Sequence, residues 1–130
     1  MTAIAVPQTT TRGALWTGRV LSGVAALFLA FDGVIHILKI PPVVASFEQL
    51  GVPLVVSATL GVLELAIVAL TLVRRTSFIG ALLLTAYLGG ATAIQVRANA
   101  EVFPVVFPAI LGTIFWVGLV LRREDIRSVV

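Results

Sequence analysis

Asp32, His36 and Lys39 put an acid, an imidazole and an amine into a stretch that is otherwise apolar. On a helix, positions i, i+4 and i+7 fall on one face, so the three read as a single polar stripe. Glu64 is the one acid of a second apolar stretch, and Tyr87 lies near the middle of a third, which ends in Gln95 and Arg97. Three chemistries suit such a set. Carboxylates and an imidazole can relay protons inside a membrane. They can also hydrogen-bond the head of an amphipathic molecule, such as a quinone, whose tail lies between helices. Thirdly, Arg97 or Lys39 can neutralise the acids, which leaves structural ion pairs and no chemistry. Asp32 and His36 could chelate a metal with Glu64 completing the site. One imidazole and two carboxylates are a thin ligand set, however, and no metal is expected. No Ser-His-Asp order, phosphate-cradling loop or dinucleotide fingerprint accompanies these residues.

The rest of the chain is a membrane composition. Of 130 residues, 59% are hydrophobic and 12% charged, and the mean hydropathy is +1.13. Soluble domains carry roughly 25% charged residues, so a water-soluble globule is excluded. A net charge of +3 comes from arginines set between apolar runs, as membrane topology requires. Nucleic acid is therefore not an expected partner; the lipid bilayer is. There is no cysteine, which removes disulfides, thiol relays, Cys-ligated zinc and iron–sulfur clusters. With one His and one Met, haem with two protein ligands from His or Met pairs is excluded too.

Four apolar runs must position the polar groups. Residues 1–13 read as a short disordered tail, and a cleaved signal peptide fits poorly because the apolar run starts late and carries Asp32 and His36. The spans are expected at about 16–40, 53–73, 77–96 and 103–121, and 124–130 as a polar tail. Pro41-Pro42 should stop the first span. Val43 to Leu50 is too short to cross and reads as an interfacial turn of helix. Pro53 suits the first position of the second span, in which Ser57, Glu64 and Thr71 recur every seven residues on one face. Gly89-Gly90, Ala91 and Ala93 give the third span a small-residue face for close helix approach, inside the bundle or against a second copy of the chain. Pro104 starts the fourth span and Pro108 should kink it.

Arg12, Arg19, Arg74, Arg75, Arg122, Arg123 and Arg127 fall on one side of this arrangement, and only Lys39 and Arg97 on the other. Cytoplasmic loops carry the excess of Lys and Arg, so both termini are expected in the cytoplasm. The expected fold is all-α, an integral membrane four-helix bundle. Depths can then be compared. Glu64 and Tyr87 fall near the bilayer centre, Asp32 roughly 5 Å outward and His36 about 6 Å further, at about 1.5 Å per residue. Gln95, Arg97 and Lys39 rim the outer mouth. The inner halves of the spans are nearly pure hydrocarbon. This asymmetry points to a cavity that opens outward and is floored by Glu64.

Several local motifs add a family resemblance. They are the Gly33-to-Lys39 end of the first span, the connector Leu50-Gly51-Val52-Pro53, and Gly61-x-x-Glu64 in the second span. Gly90-Ala91 through Gln95-x-Arg97 and the ending Phe115-Trp116-x-Gly118-Leu119 complete the set. From about Trp16 to Arg127 the chain resembles the DoxX-like family of small four-helix bacterial membrane proteins. Members often carry a His two residues before the arginine of the third helix, where this chain has Gln95. The resemblance implies a multi-pass protein of the bacterial inner membrane, loosely associated with redox systems. It makes a quinone the ligand to look for and redox proteins of the membrane the partners, and it leaves enzymatic activity open.

Overall fold

The computed structural model describes residues 10–128. The disordered tail expected at the N-terminus lies, up to residue 9, outside the described residues. Helix α1 spans Arg12–Leu38 and begins earlier than expected, because Thr11 caps it: its side chain accepts the Ala14 amide at 3.2 Å. It also ends earlier. A residue before proline is steered away from helical backbone, so Ile40 is extended and the helix cannot reach it. Lys39 turns the chain with φ 51°, in the left-handed region that usually falls to glycine. The proline pair does more than stop α1. It fills the opening positions of α2, Pro41–Leu50, which ends at Gly51 with φ 66°.

Pro53 is extended and caps a single 3-10 turn, Leu54–Val56, rather than standing inside the helix. α3 follows as Ser57–Leu72, α4 as Ser77–Arg97 and α5 as Val102–Arg122. The stretches Arg12–Leu38, Leu54–Leu72, Ser77–Arg97 and Val102–Arg122 are each long and apolar enough to cross a membrane. The described residues are helical with no strand, so the expected all-α four-span bundle is the fold. α1 and α4 each pack mainly on α3 and α5, which gives an up-and-down ring in the order α1, α3, α4, α5. Leu29, Val68, Leu84, Phe115 and Leu119 fill its centre. Leu27, Phe31, Val62, Ile79 and Leu82 turn outward, as lipid-facing residues must.

Glycines set the helix crossings, but not the Gly89-Gly90 pair that the sequence offers for close approach. A Cβ on Gly18 would come within 2.7 Å of the Gly118 carbonyl, and one on Gly80 within 2.7 Å of the Thr71 amide. A Cβ on Gly61 would run into the Gly33 carbonyl. Gly89 and Gly90 have nothing within 4 Å of such an atom, so neither makes a close helix approach inside this chain.

Part of the polar C-terminal tail is ordered. It forms a turn of helix, α6, over Glu124–Arg127, with Ile126 buried. Arg123 grips both carboxylate oxygens of Asp125 and donates at 2.6 Å to the Arg74 carbonyl and the Ser77 hydroxyl. The tail is thereby tied to the α3–α4 connection. The guanidinium holds the Asp125 carboxyl at about 2, below its ordinary 3.8. A depressed folded value means that the contact stabilises the docked tail above the unfolded value and loses that effect as pH falls through the folded one. Protection of amides 124–127, taken against the intrinsic exchange rate at each pH, should therefore fall between about pH 4 and about pH 2. Asp125→Asn should abolish that fall. Protection that stays constant through this window would show that the pair does not hold the tail.

Candidate functional site

At the α2 end of the bundle, α1, α3, α4 and α5 separate around a cavity of about 430 Å³. Each wall follows from helical spacing. On α1, Leu29, Asp32 and His36 fall on one face; on α3, Leu60 and Glu64 stand one turn apart; on α4, Tyr87, Ala91, Ile94 and Gln95 repeat at three- and four-residue steps. Phe107, Pro108 and Leu111 of α5 close the ring. Pro108 lies inside α5 and is buried against this space. The lining is thus mostly hydrocarbon with a few polar groups, the usual make-up of a small-molecule pocket.

The polar groups interlock. Glu64 is 1% exposed, and the Tyr87 hydroxyl donates to its Oε2 at 3.2 Å. Its Oε1 is buried without a hydrogen-bond partner. His36 Nδ1 lies 2.8 Å from the Asp32 backbone carbonyl and 3.3 Å from Asp32 Oδ2. A carbonyl only accepts, so Nδ1 carries a proton. One ligand atom from each of Asp32, His36 and Glu64 falls within 4.8 Å of the other two. Ser57 donates to the His36 backbone carbonyl at 2.7 Å, satisfying one of the orphan carbonyls at the end of α1. That bond ties the start of α3 to the site.

Asp32, His36, Glu64, Tyr87 and Gln95 all line the cavity. Lys39 and Arg97 do not. Lys39 is exposed where the chain has already left α1, so the third member of the expected stripe is missing. Arg97 is exposed as well, with its guanidinium beside Gly51. Neither cation forms an ion pair with Glu64 among the described residues.

Sequence reasoning expected a short helix at Val43 to Leu50 but missed its part in the site. Val43 and Phe47 are buried, and Ser46, Phe47 and Leu50 cover one side of the cavity. Phe47 meets the His36 ring edge-on, with centroids 5.6 Å apart. The signal was present: two large apolar residues one turn apart on a short helix mark a face that folds back on the bundle. Phe28 and Phe107, in edge contact at 5.3 Å, form the facing wall.

The model of the DoxX-like family matches residues 20–118. The chain belongs to the DoxX-like family. The match takes in every residue of the DoxX-like cavity and ends within α5, before α6. No curated protein and no solved structure matches the chain. Family membership thus fixes the class of protein, and the chemistry rests on the DoxX-like cavity itself.

Proposed function

We propose that this protein binds the polar head of an amphipathic molecule within the membrane, with a quinone in its reduced form as the ligand, and that it serves a redox system. The observation that carries this reading is the unpartnered Oε1 of Glu64 at the floor of an apolar-walled cavity. A buried acceptor without a donor is costly, and a quinol hydroxyl would supply the donor. The Phe28, Phe107 and Phe47 walls suit a planar ring. The partners in this reading are the bilayer, redox proteins of the same bacterial inner membrane, and a second copy of the chain against the Gly89-Gly90 face.

A proton-linked carrier is the second reading, favoured by the closeness of Asp32, His36 and Glu64. Against it stands the arginine end of the bundle. Beyond Glu64 the centre is filled by Ile67, Val68, Leu84, Phe115 and Leu119, with no polar step until Thr71. A proton that reached Glu64 would have no path onward.

Two measurements test the proposal. Protein purified in mild detergent and extracted with organic solvent should yield about one quinone per chain, read by its ultraviolet spectrum. A binding test with an added short-chain quinol covers loss during purification. Absence of both signals overturns the ligand reading. The cavity should open to the periplasm with both termini in the cytoplasm. Reporter fusions after Arg75 and Val130 should then report the cytoplasm, and a fusion after Gln49 the opposite side. An inverted result at Gln49 would overturn the outward opening.

A further inference from the structure

We propose that Asp32, His36 and Glu64 bind a divalent first-row transition metal ion at the floor of the cavity. The inference does not rest on the head-group reading: an ion and a quinol hydroxyl would be alternative occupants of the same Glu64 Oε1. Sequence alone gives a chelating pair on one helix and an acid on another, which is too little. The fold adds convergence: one donor atom from each side chain lies within 4.8 Å of the others. Ligands at about 2.0–2.2 Å from an ion stand a little closer together than that, so small side-chain rotations close the site.

The details around the three residues are those of a metal centre. Glu64 is 1% exposed and its Oε1 has no hydrogen-bond partner. A buried carboxylate oxygen left bare among other donors is what an ion would occupy. Its other oxygen accepts from Tyr87, which orients the carboxylate as outer-shell partners of metal ligands do. His36 donates Nδ1–H to a backbone carbonyl. That bond holds the ring in place beside the two carboxylates, as outer-shell partners of metal-bound histidines do.

Charge points the same way. Two carboxylates are brought together inside the bundle, and neither Lys39 nor Arg97 comes to meet them. Buried charges persist when they are paired or coordinate a metal. An imidazole with two carboxylates suits Zn²⁺ or Mn²⁺ better than Mg²⁺ or Ca²⁺, which prefer all-oxygen sets. Three protein ligands would leave a coordination position free, and the residues beside it are those that line the cavity.

The test uses the full chain, purified in mild detergent through a tag without histidines. The protein is stripped with EDTA, dialysed, loaded separately with ZnCl₂ and MnCl₂, desalted and analysed for metal content. One of the two ions should bind at one per chain and raise the Tm. Glu64→Gln and His36→Gln should each weaken binding by about 100-fold or more, since even outer-shell changes cost about 10–100-fold. Arg97→Ala, outside the site, should bind as wild type does. Circular dichroism shows that each variant is folded, and Asp32→Asn replaces any that is not. Wild-type protein that takes up neither ion overturns the proposal, because a proton shared between the carboxyls then suffices. Uptake that is equal in Glu64→Gln and wild type overturns it too. Quinone retention by the stripped protein is read separately, so failure of the ligand reading and failure of the metal site are distinct results.

Discussion

Leucine in place of Gly61 is expected to unfold the bundle or lower its stability by about 3 kcal/mol or more. At this point α1 and α3 touch through their backbones. Any Cβ on residue 61 would run into the Gly33 carbonyl, with Ile37 Cγ1 at 2.9 Å and His36 Cβ at 3.1 Å. Overpacking against flexible side chains costs about 1–3 kcal/mol, and a carbonyl of a packed helix yields less than a side chain does. The crossing also sets the site, since Asp32 and His36 flank Gly33 on α1 and Glu64 is one turn beyond Gly61 on α3. Any variant that survives by pushing the helices apart should lose ligand and metal binding together. Gly23→Leu is the control. A Cβ there meets nothing within 4 Å, and leucine is the better helix former by about 1 kcal/mol, so stability should hold or rise. Thermal unfolding of both variants in one detergent decides the matter. Equal Tm values would remove Gly61 as a point of close contact.

The four spans were legible because a bilayer leaves the backbone so few choices. Every amide in hydrocarbon must be satisfied within its own segment, so a long apolar run with few charges can only be read as a helix. The ends were less legible, because they depend on local backbone chemistry that hydropathy does not see. Thr11 extends α1 at its start through one side-chain bond. At the other end the pre-proline restriction on Ile40 forces Lys39 into a left-handed turn and takes it off the Asp32–His36 face. The glycines that matter were invisible as contacts, since which glycine faces another backbone depends on where two helices cross.

Depth along the helices was the productive clue for the site. Counting about 1.5 Å per residue puts Asp32, His36, Glu64, Tyr87 and Gln95 in one half of the bundle, and all five line one cavity. Their spacing in sequence, from 32 to 95, gives no such hint. Counting could not say which of them touch. The Tyr87–Glu64 bond and the Ser57 bond to the His36 carbonyl join separate helices and follow from the rotation of each helix about its axis. Where α2 covers the cavity follows from the chain turning back at Pro41-Pro42 with Val43 and Phe47 facing inward.

Glu64→Gln is expected to separate structure from function at this site, with stability held within about 1 kcal/mol and quinol or metal binding lost by about 100-fold. The reason lies in what surrounds the residue. Had Arg97 or Lys39 been paired with Glu64, glutamine would strand a cation and cost about 3–5 kcal/mol. No such pair exists among the described residues. Glutamine is nearly isosteric and can keep the bond from Tyr87 through its carbonyl oxygen. A carboxylate oxygen of Asp32 lies within 4.8 Å of the Glu64 carboxyl, a partner the amide can turn toward. The variant thus keeps the Tyr87 bond and puts no charge into the buried site. Function needs what the amide lacks, because its NH₂ end neither accepts a quinol hydroxyl nor ligates an ion. Tyr87→Phe makes the complementary case. It leaves both oxygens of Glu64 without a donor in a residue 1% exposed, and should cost about 1–3 kcal/mol. Measuring Tm on the stripped, ligand-free proteins, and bound ligand separately, gives opposite patterns for the two variants: a stable protein that does not bind, and a less stable one that still does. Glu64→Gln that melts early would place Glu64 in the scaffold. Glu64→Gln that melts normally and still binds quinol and metal would remove the residue from the site altogether.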